Sequence, residues 1–128
     1  MGAPPLLPLG HRAKSHIAAA LALHKLGRLT DARAQYAAAS ELQPRCLASL
    51  IGVGELHFDV GEVTQARRAF ARAAMLCPTA AAPRVSLARL LHHTGDHDGA
   101  SAAVSQALAL APSDAHALEA RAVHRDRG

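Results

Sequence analysis

Aromatic side chains are scarce in this sequence of 128 residues, where they make up 2% and are limited to Tyr36, Phe58 and Phe70. The hydrophobic fraction is nevertheless 50%, because alanine alone occupies 31 positions. A β-sandwich or β-barrel relies on β-branched and aromatic residues to cover its pleated surfaces, so this composition argues against both. Alanine is the best helix former and has little bulk, so the interior must be built from helices whose backbones approach closely.

The sequence is also poor in cysteine and in long apolar runs. Cys46 and Cys77 are too few for a disulfide framework and lack the spacing of a metal site, so we interpret them as reduced thiols of an intracellular protein. Residues 1–12 contain three prolines and no continuous apolar core, unlike a secretory signal. No stretch reaches the roughly 18 apolar residues of a membrane span. The sequence therefore predicts a soluble, cytoplasmic protein with a flexible, proline-rich segment over 1–12.

Basic charge is in modest excess and is not concentrated. Fourteen lysines and arginines against ten acidic residues give a net charge of +4, with both signs interspersed along the chain. The densest basic run, Arg67, Arg68 and Arg72, lacks the stacking aromatic residues that nucleic-acid binders usually combine with a basic face. We interpret this run as the solvated side of a helix and expect no nucleic-acid partner.

Glycine and proline recur with a period of 34 residues. Gly27, Gly61 and Gly95 form one such series. The other series at this offset are Pro44, Pro78 and Pro112; Leu42, Leu76 and Leu110; Ala32, Ala66 and Ala100; and Ala39, Ala73 and Ala107. Because glycine and proline mark turns and helix ends, their common period indicates a repeated structural unit.

Each unit predicts two helices. The first helices, in which apolar residues recur at helical spacing, cover 13–26, 47–60 and 81–94. Each ends at a glycine of the series, where a left-handed conformation can terminate a helix. Thr30, Thr64 and Asp98 follow three residues after these glycines and are predicted to cap the second helices. Those helices should end at the leucine series, because the proline that follows cannot continue them.

The order of glycine, alanine, aromatic residue, alanine and proline resembles the tetratricopeptide repeat. The second unit carries the pattern best, with Leu50, Val53, Gly54, Gly61, Ala66, Phe70, Ala73 and Pro78. The matching units are residues 13–46, 47–80 and 81–114. The resemblance implies an all-α fold, a right-handed α-solenoid of helix-turn-helix repeats. Residues 115–128 are then a C-terminal capping helix, with Leu118 and Ala122 on its apolar side, or the start of a truncated fourth repeat.

No motif in the sequence indicates catalysis or a bound cofactor. Among nine histidines the densest group is His92, His93 and His97, but the predicted turn around Gly95 breaks the spacing that a helical zinc site requires. Nucleophile elbows, HExxH helices and phosphate-binding glycine loops do not occur in the sequence. We therefore predict a non-enzymatic protein with no cofactor and no metal, in which His57 is a neutral, hydrogen-bonded core residue.

Tetratricopeptide proteins bind partners on a concave surface lined by the first helix of each unit, so the resemblance implies a groove here. The side chains that it places there are Ile17, Leu21, His24, Ile51, Glu55, Phe58, Val85, Arg89 and His92. Phe58 is expected to anchor an apolar segment, and Arg89 to pair with an acidic group on it. We predict an adaptor or scaffold that binds a peptide or helix with apolar anchors from another protein.

The resemblance argues against one kind of partner and leaves other functions open. Family members that hold the acidic C-terminal tails of cytosolic chaperones use a clamp of lysine, asparagine and arginine. The matching positions here are Ile17, Leu21, Gly52, Ala82 and Ser86. Self-association as a homo-oligomer and membership of a larger repeat protein are alternatives. RNA binding by the related pentatricopeptide architecture is less favoured, because that repeat is longer and its base-reading positions are polar.

Replacing Ala66 with leucine should destabilise the protein by about 1–3 kcal/mol. Ala20, Gly54 and Ala88 are expected to face the two alanine series, so that the helices cross near the short end of the usual separation of about 8–10 Å. A leucine would wedge these helices apart. The thermal unfolding midpoint measures the effect, and an unchanged midpoint would contradict the expected packing.

Overall fold

Seven α-helices follow one another over residues 9–127, whose backbone the computed structural model describes; side chains are described over 12–122. The helices are α1 (Leu9–Lys25), α2 (Leu29–Leu42), α3 (Leu47–Asp59), α4 (Val63–Leu76), α5 (Ala82–His93), α6 (His97–Leu110) and α7 (Ala115–Arg127). No strand occurs between residues 9 and 127. The predicted all-α solenoid is confirmed, and the predicted second helices end at the expected leucines.

The helices form two layers. Helices α1 and α2, α3 and α4, and α5 and α6 pack together as consecutive hairpins. Helices α1, α3, α5 and α7 also contact one another in succession, whereas α2, α4 and α6 do not, as far as the described chain extends. The odd-numbered helices therefore form the inner layer and line the concave side.

A glycine ends the first helix of each hairpin. Gly27, Gly61 and Gly95 have φ angles of 78°, 82° and 89°, a left-handed conformation that a residue with a Cβ adopts only at a cost. The backbone N–H of the residue after the glycine then donates a hydrogen bond to a carbonyl of the last helical turn. In the third hairpin, Asp96 N–H donates to the Leu91 carbonyl at 2.9 Å. The predicted role of the glycine series is confirmed.

The second helix of each hairpin begins two residues earlier than predicted. Thr30, Thr64 and Asp98 lie within the first turn, so the prediction that they are N-caps is wrong. The N-cap positions are Arg28, Glu62 and Asp96. Of these three, Asp96 caps with its side chain, which accepts a hydrogen bond from Gly99 N–H at 2.9 Å. The reason is that the glycine turn needs only one further residue before the next helix begins.

Aromatic rings of the outer helices pack directly on glycines of the inner helices. A Cβ placed on Gly54 would lie 2.4 Å from the Phe70 ring, and one placed on Gly52 would lie 2.4 Å from the Tyr36 ring. No side chain fits at either distance unless the ring moves. The nearest neighbours of Gly54 are thus ring atoms rather than the alanines expected there.

The two alanine series are buried as predicted, and all six members are 2% exposed or less. Ala66 shares a core cluster with Phe70, Leu90, Leu91 and Ala100, which joins the second repeat to the third. These contacts across repeats explain why small residues recur at the period of the array rather than at the period of a single helix.

Helix α7 closes the C-terminal end of the described array. Ala117 is fully buried in a cluster with Ala81, Val85 and Ala107. The Asp114 carboxylate caps the helix by accepting a hydrogen bond from Ala117 N–H at 2.9 Å. Because α7 contacts α5 and α6 as α5 contacts α3 and α4, it stands where the first helix of a further repeat would stand.

The buried side of α7 differs from the predicted one. Ala117 and Ala120 pack against core clusters, whereas Leu118 is half-buried and Ala122 is exposed. The predicted apolar side is therefore wrong for Ala122. Ala117 is fully buried and has no room for a longer side chain, whereas Ala120 is half-buried.

Helix α1 begins earlier than the first repeat was expected to begin. It starts at Leu9, so residues 9–12 are helical and the prediction of a flexible segment over 1–12 is wrong for them. The remainder of that segment lies outside the described residues. Across residues 9–127, α1 is the longest helix, and none is long and apolar enough to cross a membrane.

Replacing Gly54 with alanine should lower the free energy of unfolding by about 1–3 kcal/mol, because the new methyl group overlaps the Phe70 ring. Helix propensity alone predicts the opposite sign, a gain of about 1 kcal/mol. Chemical denaturation therefore decides between the two effects.

The double variant Gly54→Ala with Phe70→Leu is the control, since a smaller side chain at position 70 makes room for the methyl group. It should lose less stability than the two single variants lose in sum. A Gly54→Ala protein more stable than the wild type would contradict the packing argument.

Candidate functional site

A cavity of about 400 Å³ opens on the concave side between α3, α5 and α7. Helix α3 contributes Ile51 and Glu55 to its lining, and the outer helix α6 contributes Ala100 and Val104 at its base. The remaining walls belong to α5, α7 and the residue before α7. The cavity thus lies where the second and third repeats meet the terminal helix.

The apolar walls of this cavity are continuous with the protein core. Val85 is 7% exposed and belongs to the cluster that buries α7. Ala88 and Val104 belong to a neighbouring cluster on which Ala120 packs, and Ile51 packs against the cluster between the second and third repeats. Because packing holds these side chains in place, the shape of the cavity is largely preformed.

Glu55 and Arg89 form an ion pair at the cavity. They occupy equivalent positions of the second and third repeats, and Arg89 Nη2 donates a hydrogen bond to Glu55 Oε1. The side chains are 58% exposed for Arg89 and 27% for Glu55, so water screens the pair and its effect on stability is about 1 kcal/mol or less. The ion pair matters more for the binding of a partner than for stability, because the Arg89 guanidinium already has an anionic partner in Glu55.

Ser86 is a largely buried polar residue that lines the cavity. The residue is 5% exposed, and its hydroxyl has no hydrogen-bond partner among the described residues. The other buried serine, Ser49, instead donates to the Tyr36 carbonyl at 2.8 Å. The Ser86 oxygen is not among the buried unsatisfied atoms, so it is accessible from the cavity and offers a donor and an acceptor to a molecule there.

The side of the cavity formed by α7 is polar. Asp114, His116 and Glu119 line it, and the last two are exposed. The Asp114 carboxylate is occupied as the cap of α7, whereas Glu119 has no ion-pair or hydrogen-bond partner within the described part of the chain. On the α5 side the ring of His92 meets the ring of His97 edge-on, with centroids 5.1 Å apart.

Five of the nine groove residues predicted from the sequence line this cavity: Ile51, Glu55, Val85, Arg89 and His92. The three from the first repeat lie elsewhere. Ile17 packs on the cluster around Tyr36, Leu21 is 49% exposed, and His24 Nε2 lies 2.5 Å from Asp59 Oδ2. The cavity therefore covers the C-terminal part of the predicted groove, and the residues of the first repeat lie outside its lining.

Phe58 does not line the cavity, and its role as an anchor for a partner segment stays a prediction. It is half-buried, packs against the core cluster between the second and third repeats, and meets the His93 ring edge-on with centroids 5.1 Å apart. At the interface between the first and second repeats, the positions equivalent to Phe58 and His93 are occupied by His24 and Asp59, which also contact each other. Side chains at the ends of adjacent inner helices turn toward each other, so the ring fills the space between repeats.

The sequence prediction missed the acidic residues on the α7 side of the cavity, Asp114 and Glu119. Glu119 follows Val85 by 34 residues and Ile51 by 68, so it continues a groove position of the repeats into α7. Extension of the period by one unit identifies it. Ser86 has no comparable sequence signal, because only the tertiary structure shows that this largely buried residue lines the cavity.

His57 and the two cysteines lie outside the cavity lining. His57 faces the core as expected, but its Nδ1 lies 3.4 Å from Glu62 Oε2 without forming a hydrogen bond. Cys46 and Cys77 are free thiols and are half-buried. Within the described residues, no group of three or more histidine, cysteine or acidic side chains could hold a metal ion.

Tyr36 lies beneath the inner helices, where its ring is fully buried on Gly52. The hydroxyl is buried and has no hydrogen-bond partner in the part of the chain described. Burial raises the pKa of this hydroxyl above its ordinary value of 10.0, and the charge of Glu55 raises the pKa further. The folded protein therefore favours the neutral phenol.

Stability should fall as the pH rises through about 10, because the unfolded chain releases the Tyr36 proton at a lower pH than the folded protein. The Tyr36→Phe variant should lack this alkaline loss and be as stable as the wild type, or slightly more stable, at neutral pH, since the hydroxyl makes no hydrogen bond. Urea denaturation of both proteins at neutral pH and near pH 10.5 measures the difference. An equal alkaline loss in both would contradict the assignment to this single tyrosine.

Sequence models of one family match two overlapping parts of the chain. Both are described as tetratricopeptide repeat, and they cover residues 17–84 and 57–123, each just over half of the chain. No curated protein matches the chain by sequence.

Several solved structures are similar over most of the chain. The tetratricopeptide domain of OM64 from Arabidopsis has a TM-score of 0.78 at 15% identity, with 94% of this chain and 99% of that one covered. The first such domain of Spaghetti (RPAP3), bound to the HSP90 peptide SRMEEVD, has a TM-score of 0.75 at 14% identity, covering 91% and 93%. The Yersinia enterocolitica type III secretion chaperone SycD, in complex with a peptide of the translocator YopD, has a TM-score of 0.75 at 16% identity, covering 88% and 86%. At these identities the likeness is one of fold.

Proposed function

This chain belongs to the tetratricopeptide repeat family, and on that premise we propose that it is a non-enzymatic adaptor that holds a segment of a partner protein in the cavity between α3, α5 and α7. The observation that carries the proposal is the cavity itself, which is apolar at its base and opens on the concave side. The family is one of protein interaction modules, so a protein segment is the expected occupant.

The size and rigidity of the cavity support a short segment with inserted side chains. Its volume of about 400 Å³ lies within the range of about 300–1,000 Å³ that is usual for ligand sites. Val85 and Ala88 are buried in core clusters and do not have to be ordered on binding. A preformed wall lowers the entropic cost of association, so a short segment can bind usefully.

Two structural relatives were solved with bound peptides, which supports a peptide segment as the occupant of this cavity. One relative holds a peptide of HSP90, and the other holds a peptide of YopD. For this chain we do not propose an acidic chaperone tail. The positions of the family clamp are occupied by Ile17, Leu21, Gly52, Ala82 and Ser86, and Arg89 is engaged by Glu55.

Selection of phage-displayed random dodecapeptides on the purified protein tests this function. In the Ala120→Leu variant the leucine side chain on α7 occupies part of the cavity. It should weaken the binding of the selected peptides by about tenfold or more, equivalent to about 1.4 kcal/mol. Fluorescence anisotropy of a labelled peptide measures the loss, and circular dichroism checks that helicity is retained.

The Ala122→Leu variant is the matched control. It makes the same substitution on the same helix at an exposed residue outside the cavity lining, and it should bind as the wild type does. A selection that enriches no peptide would overturn the proposal. Selected peptides that bind the Ala120→Leu protein as tightly as the wild type would overturn it too.

A further inference from the structure

Negative charge predominates in the cavity, although the chain as a whole is basic. The lining contains the carboxylates of Glu55, Asp114 and Glu119 and one guanidinium, that of Arg89. The net charge of the whole chain is +4. The charge that an occupant meets is therefore opposite in sign to the charge of the protein.

These charged groups differ in what they can offer to an occupant. Arg89 is paired with Glu55, and Asp114 accepts the hydrogen bond that caps α7. Glu119 is exposed at the cavity and has no partner among residues 12–122. The free charge at the site is thus a carboxylate.

A second feature of the cavity is a hydroxyl that is available to an occupant. The Ser86 hydroxyl lines the cavity, the residue is 5% exposed, and no described group accepts from it or donates to it. A helical serine often bonds the carbonyl one turn earlier, and Ser86 does not. A peptide backbone supplies the donor or acceptor that this hydroxyl lacks.

We propose that the cavity selects partner segments in which an apolar side chain stands next to a lysine or arginine. The apolar side chain packs among Ile51, Val85 and Ala120, and the cation pairs with Glu119. Ser86 forms a hydrogen bond with the backbone of the segment. This inference rests on the proposed function and specifies the chemistry of the partner.

Because salt screens charges, an occupant of the cavity responds to the charges of the lining more than to the net charge of the whole chain. At physiological ionic strength the Debye length is about 8 Å, so charges on the far side of the molecule contribute little at the cavity. An acidic segment would meet Glu119 and Asp114 while the guanidinium is held by Glu55. A basic segment meets the Glu119 carboxylate, which no side chain between residues 12 and 122 engages.

The peptides enriched in the selection should carry lysine or arginine beside an apolar residue more often than aspartate or glutamate. One enriched peptide is then compared with two derivatives in which the cation is replaced by glutamine or by glutamate. We expect the glutamine form to bind about two- to fivefold more weakly, as the loss of one exposed ion pair predicts, and the glutamate form to bind more weakly still.

Substitutions in the protein test which residues of the cavity produce the preference for basic peptides. Glu119→Gln should weaken the basic peptide by about two- to fivefold and leave the glutamine peptide unchanged, whereas Glu119→Arg should make the glutamate peptide the tightest of the three. Ser86→Ala should weaken all three peptides alike. The control is Glu41→Gln on α2, which removes an exposed carboxylate outside the cavity lining and should change nothing.

The outcomes separate this inference from the function on which it rests. Selected peptides that are acidic or uncharged, yet lose affinity in the Ala120→Leu protein, would overturn the inference and leave the proposed function standing. A failure to select any peptide would overturn both. A dimer that light scattering detects and that Ala120→Leu dissociates would assign the cavity to a second copy of this chain and also overturn both.

Discussion

The contact between a ring on an outer helix and a glycine on an inner helix determines how closely the two layers pack. Phe70 rests on Gly54 within the second repeat, and Tyr36 rests on Gly52 across the first interface between repeats. Each ring occupies the space that a Cβ would take. A chain with so few aromatic residues can therefore have a dense interior, because each ring packs on backbone and the alanine series fill the remaining contacts.

Close packing of the layers also determines what the concave surface presents. The inner helices approach one another in succession, and one groove position recurs as Ile17, Ile51, Val85 and Glu119. Its apolar members merge with the core, whereas Glu119 introduces charge at the last helix. The cavity between α3, α5 and α7 is consequently apolar at its base and anionic on one side, a combination that suits an amphipathic segment.

Sequence reasoning succeeded where a structural requirement is local and repeated. Gly27, Gly61 and Gly95 must adopt positive φ, and the turn that they form recurs in every hairpin. Contacts that depend on a neighbouring repeat could not be predicted in this way. The Phe58 ring meets the His93 ring between repeats, and Arg89 pairs with Glu55 from the preceding inner helix.

The sequence by itself determined the repeat length, the C-terminal ends of the helices, the all-α solenoid and the buried alanine series, because helix breakers and small residues act through local geometry at a fixed period. The tertiary structure alone decided where the cavity lies, which charges remain available and which hydroxyl lacks a partner. Those properties depend on how each helix is rotated against its neighbours. That rotation follows from packing across repeats, which no single repeat specifies, and it places the largely buried Ser86 and the exposed Glu119 in the lining of one cavity.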